Sequence, residues 1–276
     1  MSFLSAIRVA LAALLINKGR SALTSLGIVI GISAVIAMVS AGAGAEHKLD
    51  GYLDNFGKTM ILLRPGGRTQ QGALADFTPL TRDDAAAIRK QLGPLLSGVA
   101  ECQFTQRVAT SRNGHWPTAI VGTTPEIIPV RHWKIERGRF FTDDEIRHQA
   151  PVCLIGLTVQ RKLFPDPKED PIGRTIRVGH VQLRIIGILG EKGRALTGAD
   201  QDDQIFVPIT TVSRKIVGDE KITMILIGAK TEADVDKVKD KVEALMRQRH
   251  RIKPGTNPDF DISSVKEMGQ LALFLA

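Results

Sequence analysis

Three kinds of residue in this 276-residue chain could do chemistry: adjacent carboxylates, histidines and cysteines. The acidic groupings are Asp143-Asp144-Glu145 and Asp202-Asp203. General acid–base work needs two carboxyls in environments that push their proton affinities apart. Neighbouring carboxyls at a helix start or in a loop are instead solvated, or favour a helix N-terminus through its dipole. Thr142 with Glu145 three residues on has the spacing of such a helix start. His47, His115, His132, His148, His180 and His250 are scattered, and most adjoin Arg, Trp or Lys, which reads as surface rather than as a ligand set. Cys102 and Cys153 stand in apolar, strand-like runs where a free cysteine packs as a small hydrophobe. An extracytoplasmic location would also permit them to pair. There is no C-x-x-C, H-x-x-x-H, G-x-S-x-G, HExxH or G-x-x-x-x-G-K-[ST]. Gly66-Gly67 reads as a turn, because no helix follows directly to complete a phosphate loop. The residues therefore predict no catalytic centre, no metal and no cofactor.

The element that organises the rest is residues 21–45, SALTSLGIVIGISAVIAMVSAGAGA, which hold no Lys, Arg, Asp, Glu or His. At about 1.5 Å rise per residue this run crosses a hydrocarbon core of about 30 Å. Arg8, Lys18 and Arg20 precede it without an acid among them, so the N-terminus is expected inside and everything after Ala45 outside. A cleaved signal peptide, with Ala41, Ala43 and Ala45 near the cut, and a buried core helix are the alternatives. Gly27 and Gly31 form a GxxxG pattern, and Ala34, Ala37 and Ala41 continue a small-residue side. Small residues let another helix approach closely in lipid, so Gly27, Gly31, Ala34 and Ala41 are the expected helix-packing interface. Ahead of the span, Phe3, Leu4, Ile7, Leu11, Leu14 and Leu15 keep helical spacing, which predicts a surface helix within residues 1–20, broken from the span at Gly19.

Past the span the pattern predicts strands at 58–64, 99–110 and 118–122, the last two joined at Asn113-Gly114. Further strands are expected at 152–156, 175–178, 181–189, 204–208, 222–229 and 260–263. Helices are expected from Thr81 to Gly93-Pro94, after Thr142, at 157–163 and 210–216, and from Thr231 to Pro254-Gly255. Strand–helix–strand occurs near both ends, with mostly β material between. The fold class is therefore α+β: one N-terminal transmembrane helix (21–45), then an extracytoplasmic strand–helix–strand subdomain from two halves (46–110 and 220–265) with a β-rich subdomain inserted (111–219). Residues 266–276 turn apolar and helical; they are expected as the start of a second stalk or membrane helix that the chain cuts short, the alternative being a helix that caps the outer domain. A net charge of +8 would suit nucleic acid, but aromatics are only 5% and the basic residues are spread out, so no nucleic-acid partner is expected.

Several motifs together resemble one family. Residues 17–32 (NKGRSALTSLGIVIGI) are similar to the N-terminal signature of MacB-type ABC transporter permeases of the FtsX-like superfamily. Gly138-Arg139-Phe140-Phe141-Thr142, Pro171-Ile172-Gly173-Arg174-Thr175-Ile176, Ile185-Ile186-Gly187-Ile188-Leu189, Phe206-Val207-Pro208 and Arg249-His250 with Asp259-Phe260 follow in that family's order. The resemblance implies a permease subunit of the inner membrane, or its N-terminal part. It implies a separate ATPase chain, a homo- or heterodimer of permeases, and a periplasmic adaptor as partners, with lipid around the span. ATP hydrolysis in the cytoplasm would move the outer domain. The competing reading is a single-span anchor whose outer domain binds a partner without transport.

Overall fold

The computed structural model of the chain describes residues 18–66, 78–195, 198–253 and 255–269. They fall in two compact units divided after Gly51. The helix expected within residues 1–20 lies mostly outside the described residues, as do 67–77 and 270–276.

The described residues of the first unit belong to one helix, α1 (Lys18–Phe56), whose residues from Tyr52 on are counted in the second. Its Ser21–Ser40 portion has a mean hydropathy of 2.4 and none of it is buried. Leu23, Ile28, Ile32, Ile36 and Val39 are all more than half exposed. A helix apolar all round has no face suited to water, and this one has the length and composition to cross a membrane. Two expectations are corrected. Lys18, Gly19 and Arg20 are helical, not a break; one glycine costs a helix only about 1 kcal/mol. The helix also runs on past Ala45 through Glu46, His47, Lys48 and Asp50, because charge limits a membrane span but not a helix.

In the second unit the strands are β1 (Met60–Pro65), β2 (Leu96–Thr110), β3 (His115–Thr123), β4 (Ile135–Gly138), β5 (Val152–Ile155), β6 (Thr175–Val178), β7 (Val181–Leu189), β8 (Gln204–Pro208), β9 (Met224–Ala229) and β10 (Phe260–Ser264). The helices are α2 (Arg82–Leu92), α3 (Ile127–Arg131), α4 (Asp143–Arg147), α5 (Leu157–Leu163), α6 (Ile209–Thr211) and α7 (Val235–Arg249). The strands pair in the order β10-β1-β9-β2-β3-β8-β5-β7-β4, with β6 between β2 and β7. The 15-residue β2 belongs to both halves: its start pairs with β9 and its end with β3 and β6. β3–β8 and β5–β7 are parallel, and the other pairs antiparallel.

Alternation along the strands makes two cores. Ile61, Leu63, Val99, Ile225 and Ile227 point to one face, where Ile88 of α2 and Val238, Val242 and Met246 of α7 cover them. Thr81 caps α2 reciprocally with Asp84, as the spacing predicts. In the inserted part Val159 and Leu163 of α5 close over Ile120, Ile155, Ile185 and Ile205. Thr142 and Glu145 form the second capping box, on α4.

Four local differences have physical reasons. The β2–β3 connection is four residues, with Ser111 N donating to Gly114 O over 2.8 Å; Asn113 and Gly114 lack the positive φ of a two-residue turn. Asn113 instead spends its side-chain amide on Glu169, 2.7 Å away. The helix expected at 210–216 becomes π-helical over Val212–Val217, with Val212 seated where a Cβ on Gly122 would meet it at 2.8 Å. Helix α7 stops at Arg249, before Pro254, because Arg251 takes a φ of 54° and Ile252 N closes back on Arg247 O at 2.9 Å. Finally, α3 and β4 carried too few residues to show a period. Pro129 falls in the first turn of α3, where proline costs little.

Candidate functional site

The face of β1, β9 and β2 that points away from α2 and α7 carries Met60, Leu62, Met224, Leu226, Ala100 and Phe104. Gly98 and Gly228 lie opposite each other on the same face. With no side chains they admit α3: a Cβ on either would come within 3.1–3.3 Å of Val130 Cγ2. Helix α3 thus covers one end of the face. Among the described residues the other end forms a groove of about 360 Å³, flanked by Ala195, Ala199, Asp200 and Gln201 and by Val265 and Met268. Phe104 is 36% exposed and Met268 39%, while Met60, Leu62 and Leu226 are buried in its floor. Of the chain's six methionines, Met60, Met224 and Met268 line it; unbranched thioethers adapt to varied apolar surfaces.

Its polar end is built by the segment before β8. The Asp202 carboxylate accepts from Lys192 N at 2.8 Å and Gly193 N at 3.0 Å, fixing that loop at its base. The Gln201 Oε1 accepts from Arg131 Nη2 at 2.6 Å. Because a guanidinium only donates, this contact fixes the amide's orientation. The Gln201 Nε2 is buried without a hydrogen-bond partner among the described residues. Lys192 Nζ donates to Arg131 O at 2.7 Å and lies 5.4 Å from the centre of the Trp133 ring. Burial, then the Arg131 charge, lowers the Lys192 ammonium to about 8. Burial also lowers the Arg131 guanidinium. Apolar walls with a few polar groups, here Arg131, Asp200, Gln201 and Gln204, are the usual marks of a binding site.

The residues singled out in the sequence lie elsewhere. Gly27, Gly31 and Ala34 are exposed on α1, and a Cβ on either glycine would meet nothing within 4 Å. The Ala41 side chain is outside what is described. Cys102 and Cys153 are buried free thiols, and burial pushes the Cys102 thiol up to about 12. His250 departs from the surface reading: its side chain is only 5% exposed and Nδ1 sits 2.8 Å from Asp259 Oδ1. Asp202 likewise proved buried, and Asp203 accepts from Trp116 Nε1 at 3.0 Å. Among the described residues, no cluster of three or more His, Cys, Asp or Glu could hold a metal. The groove escaped sequence reasoning because it is assembled from alternate residues of three strands far apart in the chain. The run of apolar residues in β9 was its one local sign.

Residues 21–245 match the family model of the MacB-like periplasmic core domain. The chain belongs to this family. It is 32% identical over 258 residues to the macrolide export ATP-binding/permease protein MacB of Bdellovibrio bacteriovorus, which covers 92% of this chain and 39% of that one. It is 34% identical over 264 residues to the protein of that name from Marinobacter nauticus, covering 95% and 39%. The chain thus spans about two fifths of the length of these relatives. In fold it matches the periplasmic region of MacB from Actinobacillus actinomycetemcomitans, with a TM-score of 0.65 at 19% identity over 81% of this chain and 97% of that one. It also matches the extracellular domain of the noncanonic ABC-type transporter YknZ from Gram-positive bacteria, with a TM-score of 0.60 at 16% identity, covering 74% and 100%. It is a MacB-like outer domain of the ABC transporter permease family, joined to one candidate membrane helix.

Proposed function

We propose that the chain is the membrane-anchored outer-domain part of a permease subunit in an ABC-type export or mechanotransmission system. The observation that carries this is the match from residue 21 to 245, which takes in the apolar helix and the outer domain together. The names of the relatives, macrolide export proteins with ATP-binding and permease functions, support export. A separate ATPase chain supplies the stroke; the ATP-binding function in the relatives' names supports an ATPase as partner. The N-terminus is cytoplasmic and the domain lies outside. Two permeases pair, as a homo- or heterodimer, through the Gly27, Gly31, Ala34 and Ala41 side of α1, with lipid on the remaining faces. A periplasmic adaptor engages the outer domain.

The test has two arms. The chain, in its complete polypeptide, is purified from membranes and co-purifying ATPases are identified; an ABC ATPase whose hydrolysis rate changes on reconstitution is expected, and its absence would overturn the coupling. For orientation, Thr175, which is exposed, is replaced by Cys. A membrane-impermeant maleimide should label it in intact spheroplasts, while buried Cys102 and Cys153 stay silent. Labelling only after permeabilisation would reverse the topology.

A further inference from the structure

We infer that the cleft between the β2–β3 connection and β6 is a binding site for a phosphate monoester, held by Arg112, Arg174 and Arg177. Three observations lead there. The first is charge. The three guanidiniums line one cleft whose only carboxylate is Glu169, so two positive charges stand unbalanced. Glu169 Oε2 accepts from Asn113 Nδ2 at 2.7 Å, and Oε1 lies 3.9 Å from Arg174 Nε, beyond hydrogen-bond reach. Arg112 and Arg177 are exposed and have neither a hydrogen bond nor an ion pair among the described residues. Arg64, Arg137 and Arg139, also exposed, each meet a carboxylate at 2.7–2.8 Å. The second is a backbone donor. Arg174 O accepts from Ile185 N at 2.9 Å, so the next residue, Thr175, turns its N–H the other way, toward β2. Strand β2 ends at Thr110, opposite Arg177, and Thr175 N has no partner among the described residues. The third is size. The cleft holds about 520 Å³, which suits an organic ligand rather than a bare ion, and buried Phe164 and Ile176 give it apolar lining. A phosphate monoester carries a charge of about −1.5 to −2 near neutral pH and three acceptor oxygens, enough for several guanidiniums and an N–H. A carboxylate has one charge and two oxygens, which a single arginine fork occupies. The cleft lies within the second unit, so it stands whether or not the chain couples to an ATPase.

The test uses the full chain in dodecyl maltoside, a detergent without phosphate, titrated with phenyl phosphate in a calorimeter. One saturable site is expected, with an affinity that falls as salt rises. Arg112→Gln and Arg177→Gln should each weaken it about tenfold, the loss of one charge-assisted hydrogen bond. Neither side chain has a partner to lose, so the melting temperature of the free protein should not change. Arg251→Gln removes an exposed arginine outside the cleft and should bind like the unaltered chain. Benzoate should bind about tenfold more weakly than phenyl phosphate. Absence of saturable binding, or equal weakening by Arg251→Gln, would overturn the site. Benzoate binding as tightly as phenyl phosphate would overturn the phosphate. A tri-aspartate peptide that bound more tightly still would overturn it in favour of an acidic polypeptide. The ester has two sources, a soluble metabolite or a lipid headgroup, and nanodiscs with and without phosphatidate separate them. Phenyl phosphate displaced only where phosphatidate is present assigns the headgroup. Equal binding in both discs assigns the soluble ester, and either result must depend on Arg177.

Discussion

Gly138 at the end of β4 and Gly187 in β7 are register partners, and neither leaves space for a side chain. A Cβ on Gly138 would lie 2.3 Å from Ile186 O, at a φ of +83° that L-residues rarely adopt. A Cβ on Gly187 would lie 2.8 Å from Arg139 O. Two separate glycine motifs in the sequence are thus the two sides of one close backbone contact. Gly138→Ala should cost about 2–4 kcal/mol, combining strain and overlap. Gly173 has the same φ of +83° but nothing within 4 Å, so Gly173→Ala should cost only about 1 kcal/mol. Thermal unfolding of the two variants separates the terms; equal costs would mean the close contact contributes nothing.

The contact also shows what a sequence can reveal. Helix positions in the core followed from period: Ile88 and Leu92 on α2 and Val238, Val242 and Leu245 on α7 sit where spacing put them, and β6 and β7 take the expected bounds on either side of Gly179-His180. Helix starts at Thr81 and Thr142 followed from capping chemistry, which is local. What could not be read was long-range. Gly98 and Gly228 mark a helix seat only once β2 and β9 are paired. His250 reads as a surface residue until Asp259 is folded against it. Gln201, in a polar loop, acquires its role from Arg131, 70 residues earlier.

Arg249 Nε donates to Asp84 Oδ1 at 2.7 Å, joining the end of α7 to the start of α2. Burial pushes the Asp84 carboxyl up, but hydrogen bonds from Arg249 and Thr81 outweigh it and hold the group below the usual aspartate range. An acid lowered in the folded state stabilises fully above its ordinary value, and that contribution fades as pH falls through the folded value. Asp84→Asn should therefore cost about 1–3 kcal/mol at neutral pH. The deficit should shrink by about pH 2, below the ordinary aspartate range. Denaturant titrations at the two pH values measure it, and a pH-independent deficit would assign the effect to packing alone.

Glu101 behaves oppositely. Its side chain is buried, with Arg82 Nε and Arg89 Nη2 both at 3.8 Å, beyond hydrogen-bond reach. Burial raises its carboxyl, and the two guanidiniums only partly offset this. An acid raised in the folded state costs stability once ionised, so Glu101→Gln should be neutral or stabilising by up to about 1 kcal/mol at pH 7. The gain should disappear as pH falls through the raised value, where Glu101 itself is protonated. A clear loss at pH 7 would show the two arginines contributing more than burial removes.

Lys192 offers a spectroscopic handle. Its ammonium titrates at about 8 and stands 5.4 Å over the Trp133 ring. Emission from Trp133, in a Trp116→Phe background, should shift with a midpoint near that pH and lose the transition in Lys192→Met. Between that midpoint and the ordinary lysine value of about 10.4 the unfolded chain keeps a proton that the folded one has released, so stability should rise with pH there. A flat emission profile would place the ammonium away from the ring.

The small-residue side of α1 yields the last prediction. Gly27 and Gly31 stand one turn apart, exposed, with open space where a side chain would be. A helix without a partner gains nothing from such a bare strip, whereas close approach of a second helix turns it into van der Waals contact. Gly27→Leu together with Gly31→Leu should lower self-association in a membrane dimerisation assay by about 1 kcal/mol or more, a shift of at least fivefold. Leu is as apolar as lipid, so insertion should be unchanged, and the expression level in the membrane fraction controls for it. An unchanged dimer signal would remove the glycines from the interface and leave pairing, if any, to another face of the helix or to the outer domain.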